Sequence, residues 1–335
     1  MDTMLGSDAA THSAKQRLLV TGVGGLLGLP LAMLAAQRFS EVVGTTHSTS
    51  IDIPGVRTTP IDLCSPGAIE RIIDRHRPDC VINCAAITDL ERCEREPAEA
   101  YAVNRDAAQA LAVVAAARDI RLIHISTDAV FDGSAGPYRE TDLPSPVNIY
   151  GDSKWEAEQV TLAADPRALV VRTCLFGWSA QGNRSLAEFF VSRLEAGDEV
   201  LGYTDAFFSP LATTHLAQLL LRLLGDREQS GLLHLASRDA MSKYQFGRNI
   251  ARQFGWDAGL VLARERSAAA ESTLRGAQLA LATDRARDAL GEELPSVSEG
   301  IGELHRLHVN GHREHLRALE PDPSKKESAH ACTDR

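Results

Sequence analysis

Several kinds of residue that mark specialised protein classes are scarce in this chain. Its six cysteines (Cys64, Cys80, Cys84, Cys93, Cys174 and Cys332) are scattered without a CxxC pair, which argues against a zinc knuckle or a disulfide framework. Cys80 and Cys84, in "DCVINCAA", are read as small buried hydrophobes on one strand face, the usual place of free cysteine in a reducing compartment. Aromatics make up 5% of the chain, no basic stripe interleaves with them, and the formal net charge is −10. That balance argues against nucleic acid and against an anionic membrane surface as partners. No apolar run approaches the roughly 20 residues of a membrane span. The opening "MDTMLGSDAATHSAKQ" has no apolar core of the signal-peptide type, so a cytoplasmic protein is expected.

What is present is globular: 335 residues, 44% hydrophobic and 24% charged, enough for one large domain or two of ordinary size. "QRLLVTG" (16–22), "SEVVGTTH" (40–47), "DCVINCAA" (79–86), "RLIHIST" (121–127) and "ALVVRTCLFG" (168–177) read as strands. Between them lie "LLGLPLAMLAAQRF", "PGAIERIIDRHRP" and "AEAYAVNRDAAQALAVVAAARD", of helical composition and length. Strand and helix in alternation predict an α/β, Rossmann-type, doubly wound parallel sheet over residues 16–178. Beyond residue 178 helical stretches dominate, including "RSLAEFFVSRLEAG" and "SKYQFGRNIARQFG". Residues 179–319 are therefore expected to form a smaller substrate-binding lobe, with some segments returning to the sheet. The polar, aperiodic ends, 1–15 and 320–335, are expected to be disordered, and no internal repeat is evident.

The stretch "LLVTGVGGLLG" runs from a strand into a helix and carries Gly22, Gly25 and Gly28 at GxxGxxG spacing, with Leu26 and Leu27 between. Gly22 permits a tight turn, Gly25 lets backbone approach a pyrophosphate, and Gly28 lets helix and strand pack closely. Amides at the helix start then meet the phosphate charge. A carboxylate about 20 residues on would select NAD through the ribose 2′-hydroxyl. The second strand instead ends Thr45, Thr46, His47, Ser48, without an acid. His47 and Ser48 can donate to a 2′-phosphate, so NADPH is favoured, with NADH left open. Asp62 in "IDLC", beside Leu63, either accepts from the adenine amino group or caps the next helix.

In "NIYGDSKWEAEQ", Tyr150 and Lys154 stand one helical turn apart on one face. A fixed positive charge favours phenolate, so the pair is expected to act as an acid tuned below the ordinary phenol pKa of about 10. The wider stretch "HISTDAVFDGSAGPYRETDLPSPVNIYGDSKWEAE" (124–158) resembles the extended short-chain dehydrogenases. Within them it is most similar to the dTDP-4-dehydrorhamnose reductase group of sugar-nucleotide enzymes. Four further pieces, at 78–104, 194–217, 231–255 and 274–287, extend the resemblance over most of residues 16 to 303.

The resemblance implies reduction of a keto group on a nucleotide-linked deoxysugar, with dTDP as the expected nucleotide. Tyr150 would protonate the carbonyl oxygen, Thr127 would hydrogen-bond that oxygen, and Lys154 would lower the tyrosine pKa and hold the nicotinamide ribose. It also implies cofactor contacts at Leu63, Cys84, Ala85 and Ala86, with a homodimer left open. Thr88, Asp128, Ala129 and Arg275 fall at substrate-side positions, Arg275 being suited to a phosphate by its planar fork of donors. Ala129 stands where the family pattern "STDYVF" has tyrosine, and "RTCLFGW" replaces an "RTSWVYG"-type stretch, so the sugar itself stays open.

Two other functions remain beside it. An epimerase or dehydratase of the same superfamily would need a further acid–base partner beside Asp128. A non-catalytic subunit resembling the methionine adenosyltransferase β subunit would keep the nucleotide fold without the chemistry. Last, "LHRLHVNGHREHLR" spaces His305, His308, His312 and His315 like a metal-binding stripe. Asn310-Gly311 interrupts it and no acid or cysteine completes a shell, so no metal is expected and a solvated helix is the default.

Overall fold

The computed structural model describes residues 16–47, 51–266 and 273–319. Ser48 and both chain ends lie outside the described residues. Seven strands form one sheet: β1 (Arg17–Thr21), β2 (Glu41–Thr46), β3 (Arg57–Pro60), β4 (Cys80–Asn83), β5 (Arg121–Thr127), β6 (Leu169–Thr173) and β7 (Gly231–His234). Their spatial order is β7-β6-β5-β4-β1-β2-β3, and every neighbouring pair is parallel.

The apolar strand runs follow from burial on both faces. Along β1, Leu18 and Val20 join one core with Leu29 and Leu31 of helix α1 (Gly28–Ala35), while Leu19 faces the other way. Leu19 packs there with Val81, Leu122, Ile69 and Ile73 of helix α2 (Ala68–His76), and Leu111 of helix α3 (Ala107–Ala117). Burying each such side chain is worth about 1.5 to 3 kcal/mol, so the two faces together dominate the stability of this layer. Helix α4 (Ile149–Ala164) packs on α3 and brings Tyr150 and Lys154 to the sheet.

Winding runs outward from β1 through β2 to β3, then resumes on the other side with β4. The crevice between the carboxyl ends of β1 and β4 is the switch point at which open α/β sheets bind ligands.

Helix α5 (Thr213–Gly225) lies on α1, and β7 then joins the sheet edge, so this later segment packs with the first half of the chain. The remaining lobe adds aromatic residues to the core that Leu18 and Leu29 belong to, with Phe176 and Phe208 meeting Phe246 of helix α6 (Lys243–Phe254) edge-on at 5.1 and 5.3 Å. Ser242 and Gln245 form a reciprocal capping box at the start of α6, and left-handed Gly255 ends it. No helix among the described residues is long and apolar enough to cross a membrane.

Three local expectations need correction. The run 168–177 is not one strand: β6 stops at Thr173, and Leu175–Phe176 turns away to pair with Leu211–Ala212. Cys84 lies just past the end of β4, so it shares no strand face with Cys80. The histidine stripe is not a solvated helix. Helix α7 (Val297–Val309) ends before Asn310-Gly311, a second helix spans His312–Ala318, and His305 and His308 pack on the Phe254 ring at 4.7 and 5.3 Å. Among the described residues no group of three or more His, Cys, Asp or Glu is placed to hold a metal.

Candidate active site

The loop after β1 is shaped by contacts that only glycine allows. Gly22 has φ +69°, and a Cβ there would lie 3.0 Å from the backbone of Ala85. A Cβ on Gly28 would sit 2.3 Å from the Gly22 carbonyl oxygen, so this glycine sets how closely α1 approaches β1. Gly25 is exposed and its N–H donates to Gly22 O at 2.9 Å. Helix α1 has no side-chain cap and no acid in its first turn, which leaves its amino end electropositive for an anion. A dinucleotide pyrophosphate fits that end. Leu26 is half-buried and Leu27 buried beside it.

His47 is exposed just past the end of β2. Asp62 does not cap α2, whose N-cap is left-handed Gly67. Its carboxylate accepts from Cys64 N–H and Ser65 Oγ, each at 2.9 Å, and those hydrogen bonds hold its pKa down. Leu63 is half-buried next to it. Cys84, Ala85 and Ala86 line the β4 side of the crevice, half-buried; Thr21 Oγ1 accepts from Cys84 N–H and Ala85 N–H at 3.1 Å and so ties the two loops together.

Asn104 is a positioning residue that the sequence reading missed. It lies in a π-helical turn, Ala102–Asp106, that leads into α3. Its Oδ1 accepts from Ile87 N–H at 2.8 Å, and its Nδ2 donates to Ile87 O at 3.1 Å and to Ser153 Oγ at 3.0 Å. Ser153 in turn donates to Tyr150 O at 2.8 Å. The loop after β4 and the first turn of α4 are thereby held as one piece. Such π turns recur at functional sites, but "YAVNRD" carries no residue pattern that announces one.

Asn148 caps α4 by accepting from Gly151 N–H at 2.8 Å, and its Nδ2 donates to Leu274 O at 2.9 Å. The Tyr150 phenol lies near the Thr127 hydroxyl, whose influence opposes the rise of its pKa. Thr127 Oγ1 also donates to Asp128 Oδ1 at 3.1 Å and accepts from Ala129 N–H at 3.1 Å. Burial pushes Asp128 up to about 6, against the opposing hydrogen bonds of Thr127 and Cys174. Lys154 is 2% exposed; its Nζ donates to Ile125 O at 2.7 Å and lies 3.1 Å from His124 Nε2.

Contrary to the expectation from its pairing with Lys154, the Tyr150 pKa is not brought below the ordinary phenol value. Burial raises the phenol pKa, with the Asp128 charge adding to the rise and the Thr127 hydrogen bond opposing it. Burial likewise lowers Lys154 to about 8. The lysine head is directed toward β5, and the phenol stays protonated, as a proton donor must be.

On the far side of the crevice, Arg275 forms an ion pair with Glu91 at 2.9 Å, bridging the lobe to the short helix Leu90–Arg95 that follows Thr88. Thr88 is exposed and Ala129 half-buried. The structure thus gathers Thr127, Asp128, Ala129, Tyr150 and Lys154 around the ends of β4 and β5. Arg275 stands apart from them at the rim.

Three comparisons bear on this arrangement. The chain is 34% identical over 292 residues to a Haloferax volcanii protein named "Probable low-salt glycan biosynthesis reductase Agl14", covering 85% of this chain and 96% of that one. It is 38% identical over 248 residues to a Mycobacterium tuberculosis dTDP-4-dehydrorhamnose reductase, covering 72% and 77% of the two. A Sulfolobus tokodaii crystal structure, titled a hypothetical dTDP-4-dehydrorhamnose reductase, matches with TM-score 0.75 and 31% identity, over 85% of this chain and 98% of that one. The family model described as the RmlD substrate binding domain matches residues 16–308, and this chain belongs to that family.

Proposed function

We propose that the protein reduces a keto group on a dTDP-linked deoxysugar, using NADPH, with NADH as a weaker substitute. The observation that carries the proposal is the nearness of the Thr127 hydroxyl and the Tyr150 phenol at the carboxyl end of β5, on the same sheet edge as the glycine loop after β1. The nicotinamide, when bound, supplies the hydride. Tyr150 gives its proton to the carbonyl oxygen as negative charge develops there, and Thr127 holds the same oxygen in line. Lys154 holds the ribose, and the amides at the start of α1 hold the pyrophosphate. His47 is the donor on hand for a 2′-phosphate. Asp128 and Ala129 line the sugar side, and Arg275 can exchange Glu91 for the substrate diphosphate.

Thr127 and Tyr150 favour catalysis over the binding-subunit alternative, because a non-catalytic nucleotide fold has no need of a buried phenol set beside a hydroxyl at the hydride end. An epimerase or dehydratase would need a second acid–base group, and Asp128 is already engaged by Thr127. The test is consumption of NADPH and NADH with dTDP-4-dehydro-6-deoxysugars, run beside Tyr150→Phe. Turnover that falls by about 10²–10⁴ in the variant, the usual range for a general acid, is the expected result. Tight NADPH binding with no turnover of any keto-sugar would overturn it in favour of the binding subunit.

A further inference from the structure

His124 sits in β5, three residues before Thr127, and is 1% exposed. Each of its ring nitrogens meets another nitrogen: Nδ1 lies 3.0 Å from Asn83 Nδ2, and Nε2 lies 3.1 Å from Lys154 Nζ. A neutral imidazole has one donor and one acceptor, so one of these contacts fixes the other.

Asn83 decides which is which. Its Oδ1 accepts from Thr21 Oγ1 at 2.5 Å and from Ala85 N–H at 3.3 Å. Turning the amide over would set its NH2 against the Ala85 N–H. It would also face Thr21 Oγ1, which already accepts from two backbone amides at 3.1 Å. Asn83 Nδ2 therefore donates to Nδ1, and the imidazole proton sits on Nε2, aimed at Lys154. The ring stays neutral, because burial pushes its pKa far down.

An ammonium has three donors and no acceptor, so a charged Lys154 would meet Nε2–H donor to donor. A neutral amine satisfies both contacts, donating to Ile125 O and accepting from Nε2–H. The titratable groups facing Lys154 are His124 on β5, Cys84 after β4 and Glu158 one turn along α4. Glu158 pulls the Lys154 pKa up but is itself engaged by Arg172 and Ser126, and burial holds the Cys84 thiol up at about 12, so the lowering by burial prevails.

We infer that His124, fixed in its Nε2–H tautomer by Asn83, donates to the amine of Lys154 in the cofactor-free protein, so that binding of the dinucleotide is coupled to proton uptake by Lys154. On binding, ribose hydroxyls offer acceptors that the ammonium can use; the amine takes a proton from solvent and turns from His124 toward them. His124 is thus a positioning residue, linked through Asn83 and Thr21 to the two loops that flank the cofactor crevice. The inference rests on the cofactor assignment above and not on which sugar is reduced.

The test is NADPH binding by calorimetry near pH 8, in buffers of different ionisation enthalpy, which reads proton uptake without turnover. Net proton uptake is expected in the unsubstituted protein, because burial lowers the Lys154 pKa toward that pH. In His124→Gln the side-chain oxygen can turn to the ammonium, and uptake should fall at least twofold. Equal uptake in both proteins, or none in the unsubstituted one, would overturn the coupling.

A second measurement needs no variant. Nitrogen-15 spectra of the unsubstituted protein should show one non-titrating imidazole, protonated on Nε2, that responds to NADPH. An Nδ1–H tautomer for that ring would overturn the inference as well. A failure of the reductase proposal has a different signature, namely proton-linked NADPH binding with no keto-sugar reduced.

Discussion

Gly151 lies so close to the Ala129 carbonyl that a Cβ on it would stand 2.2 Å from the oxygen. This contact presses the first turn of α4 onto the turn after β5, which carries Thr127 and Asp128. The distance between Tyr150 and Thr127 is set there. Gly151→Ala is expected to lower kcat by about 10²-fold, the loss typical of a misplacement near 1 Å, with the NADPH Kd changed much less. Steady-state kinetics beside cofactor titration checks it; a kcat within threefold of the unsubstituted enzyme would show that the helix can shift without harm.

The Glu91–Arg275 pair is half-exposed, at 48% and 39% respectively, so as an ion pair it contributes little. That makes it easy to exchange for a phosphate. Arg275→Ala should raise the nucleotide-sugar KM by about 10- to 100-fold, corresponding to the roughly 1.5 to 3 kcal/mol of a hydrogen bond to a charged group, while kcat stays within a few-fold. Glu91→Ala should leave KM unchanged or lower it. A higher KM in the glutamate variant would mean that the pair orders the cleft and does not compete with substrate.

Asp128 has a folded-state pKa of about 6, above its ordinary 3.8. The folded protein therefore binds more protons than the unfolded chain between those values, and stability falls as pH rises through that window. The contribution is fully present below the unfolded pKa and lost above the folded one. Asp128→Asn should accordingly stabilise the protein at pH 7 by on the order of 2 to 3 kcal/mol, with the gain fading below about pH 4. Thermal melts over that range decide it, and a gain that does not depend on pH would point to packing instead.

Legibility differed by the kind of signal. Five strands of the parallel sheet and the loop at Gly22, Gly25 and Gly28 could be read because strand periodicity and glycine spacing are local. The gathering of Thr127, Tyr150 and Lys154 followed from a resemblance carried by one contiguous stretch. Asn104 and His124 escaped because their partners, Ile87 and Ser153 or Asn83 and Lys154, lie from 17 to 49 residues away in the chain. The sign of the Tyr150 shift escaped for a different reason. Pairing by helical spacing was visible, but desolvation of the phenol depends on everything that covers it.

Arg172 and Glu158 form an ion pair buried at 2% and 3% exposure, with Nη2 to Oε2 at 2.6 Å, directly behind the catalytic strand. Ser126 Oγ also donates to Glu158 Oε1 at 2.5 Å, so the carboxylate braces the residue before Thr127. The Arg172 guanidinium lies 5.0 Å over the Phe131 ring, and its Nη1 has no partner, so it has little to fall back on if the carboxylate goes. Glu158→Ala leaves a desolvated cation and should cost about 3 to 5 kcal/mol in urea unfolding. Removing both charges, as Glu158→Leu with Arg172→Met, should recover most of that loss, because well-packed apolar replacements of a buried pair are often neutral. Activity separates the two roles. If the pair serves only stability, the double variant regains its rate; if it aims Ser126 and Thr127, the fold returns and kcat does not. The 2.5 Å Ser126 contact favours the second outcome, since no apolar side chain can replace that acceptor.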